Sequence, residues 1–158
     1  MKPPEQWKRE RRRGREAGTA VVEFAVILPL FLLLVFGIVD FGRAMNYKNS
    51  ATQLANMAAR YASVNRDPTG GPPSCGSIKS YLLTQAHTGE LATMLGNGTL
   101  TIGLPDGKTV GGRVSVTVHL DFSWLPYIKQ AAGGSAIGIN GLATMRLEQP
   151  PTFSAGSC

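Results

Sequence analysis

Cysteine, charge and aromatic residues are all scarce in this chain, and each scarcity removes a class of protein. Two cysteines, Cys75 and Cys158, cannot staple a disulfide-built scaffold, and they lack the C-x-x-C spacing of a zinc site or dithiol redox pair. Charged residues make up 16% of the chain against 43% hydrophobic, which excludes a disordered polyelectrolyte, and 158 residues hold at most one compact domain. Only 8% of residues are aromatic. No G-x-S-x-G, H-E-x-x-H, P-loop or complete G-x-G-x-x-G occurs, so the familiar hydrolase, zinc-peptidase and nucleotide-binding signatures are missing. His119 falls on the polar side of a strand pattern, where a solvated histidine is the ordinary outcome, and His87 has no partner pattern. The expectation is a protein that is not an enzyme, with no metal and no cofactor.

The charge that is present is unevenly placed. The net charge is +6, and residues 1–16 alone hold seven basic and three acidic residues, leaving the remainder nearly neutral. Lys8, Arg9, Arg11, Arg12, Arg13 and Arg15 could neutralise phosphates, with Trp7 stacking on a base. Their position immediately before an apolar run explains them without nucleic acid, because basic flanks are retained in the cytoplasm.

That apolar run extends from Phe24 to Val39, FAVILPLFLLLVFGIV, and is lengthened by Ala20-Val21-Val22 on the far side of Glu23. About 20 apolar residues suffice to cross ~30 Å of hydrocarbon, and leucine all around a helix is what lipid demands. A signal peptide would need a small-x-small site next, where the chain offers only Gly42-Arg43-Ala44. The sequence therefore predicts a single-pass protein of the cell (inner or cytoplasmic) membrane, its N-terminus cytoplasmic and everything beyond residue 40 outside.

After the span the pattern becomes one-sided. Ala44, Tyr47, Ala51, Leu54, Ala58 and Tyr61 recur at spacings of three and four, so span and amphipathic segment can form one helix from about Thr19 to Asn65, roughly 70 Å at 1.5 Å per residue. Pro68, Gly70, Gly71, Pro72 and Pro73 end it. A second, shorter helix is expected from Ile78 to Leu95 with Ser77 as its cap, weakened by Gly89. From Gly98 onward β-structure is expected: Thr99–Ile102, a turn at Pro105–Lys108, a strand Arg113–Phe122 with alternate residues inward, and a last strand Gly141–Glu148. Asn97-Gly98-Thr99 matches a glycosylation sequon but reads first as a turn. The fold class is α+β, a small antiparallel sheet laid against the protruding half of the long helix. The organisation is 1–18 basic cytoplasmic leader, 19–40 transmembrane helix, 41–65 amphipathic extension, and 66–158 extracytoplasmic domain.

Two positions within the span carry chemistry. Glu23 costs at least ~2.5 kcal/mol at a bilayer centre, so it either snorkels to the cytoplasmic edge or meets a partner. Pro29 removes a helix hydrogen bond and clashes with the carbonyl of Ala25, which predicts a kink, either a hinge or an accepted irregularity. Cys75 and Cys158 both fall on the outer side, where oxidation is permitted, so a disulfide is expected, within one chain or between two.

The segment Gly18-Thr19-Ala20-Val21-Val22-Glu23-Phe24 resembles the cleavage site of type IV prepilins and pseudopilins. From Gly18 through Arg60 the chain is similar to the TadE-like proteins of tight-adherence (Tad, Flp-type) pilus systems. It shares the Gly-x4-Glu-Phe start, the Leu-Pro within the span, the Gly37 to Arg43 exit and the Ala-Ala-Arg-Tyr-Ala helix end. The resemblance implies a pilin-like fold and cutting after Gly18 by a prepilin peptidase, with Thr19 as new N-terminus and Glu23 setting register by pairing with its amine. It implies a minor pilin or pseudopilin in pilus assembly, partnered by membrane lipid, the peptidase, the major Flp-type pilin, other TadE-like minor pilins and an assembly platform. The competing expectation is an uncut single-span anchor presenting a binding module.

Overall fold

The computed structural model describes residues 4–68, 70, 71, 73–125, 130, 133 and 136–158, with side chains from Gly18 onward. The basic side chains of the leader lie outside the described residues. The fold is α+β, and the chain divides into two compact units, Met1–Asp40 and Phe41–Cys158.

Helix α1 (Pro4–Ser63) enters both units. It begins fifteen residues before the expected start near Thr19, because a proline is welcome in a first helical turn and the Glu-Gln-Trp-Lys-Arg-Glu-Arg run consists largely of good helix formers. It continues through Pro29. In the first unit the apolar side chains from Val21 to Val39 are largely exposed, reaching 74% at Val26 and 71% at Leu30. This stretch is long and apolar enough to cross a membrane.

α1 ends at Ser63, two residues short of the expected Asn65. Asn65 takes a positive φ of 50°, the Asn65 N–H donates to the Ala62 carbonyl and the Arg66 N–H to the Tyr61 carbonyl, which is the hydrogen-bond pattern of a Schellman motif.

In the second unit a four-stranded antiparallel sheet is ordered β3-β2-β1-β4, with β1 Thr99–Gly103, β2 Arg113–Phe122, β3 Ile137–Arg146 and β4 Gly156–Ser157. The alternation in β2 works as the sequence predicts: Val114, Val116, Val118, Leu120 and Phe122 are all buried. β3 starts four residues before the expected Gly141, because Ile137 pairs with Phe122 and Ile139 with Leu120 despite the intervening Gly138.

The buried face of α1 is made largely of alanine. Ala51, Ala55, Ala58, Ala59 and Ala62 are fully buried, with Tyr47 and Leu54 beside them. Gly141 lies directly beneath this seam, and a Cβ placed on it would overlap the backbone of Ala51. A side chain here would hold the sheet off the helix.

The single helix expected over Ile78–Leu95 is two. Helix α2 (Cys75–Gln85) is capped by Ser74, whose hydroxyl accepts from the Ser77 N–H at 3.1 Å; Ser77 is the third residue of the helix and the far partner in its capping box rather than the cap. Helix α3 (Gly89–Asn97) starts afresh because the Thr88 hydroxyl accepts from the Leu91 N–H at 3.1 Å. The expected turn at Asn97-Gly98 is instead the C-cap of α3. Gly98 is required by closeness, since a Cβ would overlap the carbonyl oxygen of His119.

A disulfide joins Cys75, the first residue of α2, to Cys158, with Cα atoms 6.0 Å apart. Cys158 also exchanges two 2.9 Å backbone hydrogen bonds with Leu100 of β1. Closing a loop across 83 positions contributes about 4 kcal/mol in the chain-entropy account.

Two outcomes follow from this packing. Gly141→Ala should destabilise the second unit by about 1–3 kcal/mol through overpacking, whereas Leu142→Ala, on a side chain 62% exposed, should stay within about 0.5 kcal/mol of the parent. Thermal melts by circular dichroism in detergent distinguish them. A non-reducing peptide map should recover Cys75 and Cys158 in one cross-linked fragment from monomeric protein; a covalent dimer would contradict the intrachain bond.

Candidate functional site

Within the first unit the chemistry-bearing positions lie on one continuous helix. Gly18, Thr19, Glu23 and Pro29 are all helical and exposed, and among the described residues a Cβ on Gly18 would meet nothing within 4 Å beyond its own helix backbone. Thr19 and Glu23 are four residues apart, so they share one helix face. Among the described residues Glu23 makes no ion pair. At the end of this unit, Asp40 is fully buried.

In the second unit the first turns of α1 hold a polar and aromatic cluster. Arg43 donates to Glu90 Oε1 at 2.7 Å, and the Tyr47 hydroxyl donates to Glu90 Oε2. The Arg43 guanidinium lies 5.6 Å from the centroid of the Phe122 ring, which is tilted against Tyr47 at 5.8 Å and stands edge-on to Trp124 at 5.6 Å. Three elements are thereby joined: α1 around Arg43 and Tyr47, the first turn of α3 and the end of β2. Glu90 suits its place, because a carboxylate in a helix's first turn complements the helix dipole. Burial, and then the hydrogen bond to Glu90, push the Tyr47 phenol above its ordinary range.

Sequence reasoning had Arg43 and Tyr47 in view but not Glu90. The available signal was Thr88-Gly89-Glu90, a cap followed by an acid in the first turn.

The histidines are dispersed. His119 has ring nitrogens 2.6 Å from Asn140 Oδ1 and 3.4 Å from Asp121 Oδ1, on the polar side of the sheet. His87 lines a shallow cavity of 340 Å³ with Asn46, Asn49, Ser50 and Gln53 of α1. Among the described residues no group of three His, Cys, Asp or Glu side chains is placed to hold a metal ion. Arg113 makes a forked pair with Asp106 at 2.9 and 3.0 Å and holds that carboxyl down at about 2.

The apolar helix and the α+β unit together fit a protein carried on a single-pass membrane anchor. Residues 18–60 match the family model of the TadE-like proteins, so the stretch from Gly18 to the last turn of α1 is TadE-like and points to a protein associated with the Tad pilus. No curated protein and no solved structure matches the chain.

The Tyr47 environment generates a spectroscopic expectation. With its pKa raised in the folded state, Tyr47 contributes stability that is full below the ordinary tyrosine range near pH 10 and is lost as pH rises through the folded value. Glu90→Gln removes the negative charge facing the phenol, so phenolate absorbance at 295 nm should develop for Tyr47 at lower pH than in the parent. An unchanged titration would show that burial alone sets it.

Proposed function

We propose that the protein is a TadE-like minor pilin, or pseudopilin, which a prepilin peptidase cuts between Gly18 and Thr19 and which then acts in assembly of a Tad pilus. The observation that carries this reading is the coincidence of two boundaries. The TadE-like match begins at Gly18, and that residue opens the Gly-x4-Glu segment that leads into the apolar run of α1. The work is assembly rather than catalysis.

The helix suggests how it proceeds. The apolar stretch keeps the subunit in lipid, its N-terminus on the cytoplasmic side, until an assembly platform transfers it to a bundle of like helices that includes the major pilin. Gly18 costs about 1 kcal/mol in a helix relative to alanine, which eases local unwinding for the peptidase. In the uncut chain the Thr19 nitrogen is a peptide amide, and it offers Glu23 no positive charge. Cutting turns it into an ammonium one helical turn from the carboxylate, at a helix N-terminus where an acid is favoured. The pair would set axial register as the subunit leaves lipid.

A second reading has one observation behind it. α1 runs without interruption from Pro4 through Gly18, as it would in an anchor that is never cut and that presents the outer domain for binding.

Intact mass of the membrane-extracted protein decides between them. The product should begin TAVVEF in cells with an active prepilin peptidase, and Gly18→Leu should block the cut; full-length mass in those cells would favour the uncut anchor. Glu23→Ala should insert at least as well as the parent and still be cut, yet fail to support piliation. Glu23→Gln should fail in the same way, since an amide keeps the shape but not the charge. Normal pilus numbers with either variant would mean that Glu23 merely snorkels.

A further inference from the structure

Two arginines at the end of α1, Arg60 and Arg66, make no ion pair among the described residues, and the Asp67 that follows them is buried. From residue 41 to residue 66 the sequence holds Arg43, Lys48, Arg60 and Arg66 and no acid. Arg43 is paired with Glu90, and Lys48 donates to the Asn140 carbonyl. Arg60 and Arg66 are exposed, and among the described residues neither has an ion pair.

Helix capping does not account for them. The carbonyls of Arg60, Tyr61, Ala62 and Ser63 accept from the backbone N–H groups of Val64, Arg66, Asn65 and Glu148 at 3.3, 3.1, 3.3 and 2.9 Å, so the last turn is satisfied without a guanidinium. The two arginines instead border a surface groove of 560 Å³ lined by Met57, Arg60, Tyr61, Val64, Arg66 and Gln149. Its walls are held in place: the Tyr61 ring packs edge-on against Tyr81 at 5.1 Å, and Thr152 bonds through its N–H to the Asn65 side chain at 3.0 Å.

We propose that this groove docks an acidic peptide segment of a partner subunit. Two guanidinium forks suit carboxylates, Met57 and Val64 offer an apolar floor for the residues between them, and Gln149 can bond a peptide group. A bare inorganic anion would leave the apolar floor unused. The inference does not depend on processing, and its test uses the uncut full-length chain, so failure here leaves the cleavage reading untouched.

The test is a titration of full-length protein in detergent micelles with the peptide acetyl-Leu-Glu-Leu-Asp-Leu-amide, followed by NMR at the arginine Nε–H and methionine methyl signals. Arg60, Arg66 and Met57 should shift together and saturably, and the Gln/Asn version of the peptide should shift none of them. The double variant Arg60→Gln, Arg66→Gln should weaken binding by about tenfold or more, and Lys108→Gln, which removes an exposed charge elsewhere, by less than about twofold. Val64→Gln keeps both charges and should still weaken binding, which guards against a double variant that misfolds. No shift at millimolar peptide, equal loss with Lys108→Gln, or acetate binding as tightly as the peptide would overturn the proposal. So would a preference for phosphatidylglycerol over phosphatidylcholine vesicles, dependent on the two arginines and without peptide binding.

Discussion

The second unit depends on how closely its sheet can approach α1, and that distance is set by side chains that are nearly absent. Ala51, Ala55, Ala58, Ala59 and Ala62 give the helix a flat face, and Gly141 gives the sheet a matching gap. Close approach brings the valines of β2 and the leucines of α2 and α3 into one core. There each fully buried aliphatic side chain contributes about 1.5–3 kcal/mol. A leucine face on α1 would bury more area per residue but would push the sheet outward and open voids. The same helix is built differently in its first unit, where large apolar side chains point outward all around it. One helix thus changes its surface along its length, with exposed apolar bulk of the kind that suits lipid in the first unit and alanine where the sheet packs.

The cluster of Arg43, Tyr47, Glu90 and Phe122 adds a second constraint of another kind. As an ion pair, Arg43 with Glu90 is weak, because both side chains remain partly exposed and water competes for them. Its value lies in direction. Glu90 is the second residue of α3, and by accepting from two residues one turn apart on α1 it fixes the start of α3 against the part of α1 around Arg43 and Tyr47. Thr88 and the disulfide at Cys75 fix the two other points where the short helices could swing. The short helices are therefore held at their ends more than along their faces.

The sequence made the periodic parts legible and left the local interruptions hidden. β2 was readable because five β-branched, aliphatic or aromatic residues alternate without a break, and the helix stripe because Tyr47, Leu54 and Ala58 recur at helical spacing. Ala55, Ala59 and Ala62 escaped notice because alanine is compatible with any face. The break at Ala86 to Thr88 was hidden by apolar spacing that runs across it; only the pairing of Thr88 with the Leu91 amide, a hydrogen bond of one residue, restarts the helix there. β3 was shortened in expectation by Gly138, which lowers strand propensity yet fits beside the His119 ring. Glu90 was missed because its partners lie more than forty residues away in sequence. The segment around Gly18 was legible for the opposite reason, since its glycine, glutamate and apolar run are contiguous.

The extent of the family match carries one more consequence. It stops at Arg60, three residues before α1 ends, so it covers the span and most of the alanine seam but none of the sheet or the short helices. What is TadE-like in this chain is therefore the stretch of α1 from Gly18 to Arg60, apolar and exposed at one end and closely packed against the sheet at the other. The sheet, outside the match, must still present a small residue opposite that seam, a condition Gly141 meets. Met57 and Arg60 lie within the matched helix, whereas Tyr61, Val64, Arg66 and Gln149 come after it. The groove is therefore built across that limit, one wall from the matched helix and the other from residues beyond it, so an occupant of the kind proposed would touch both parts of the chain at once.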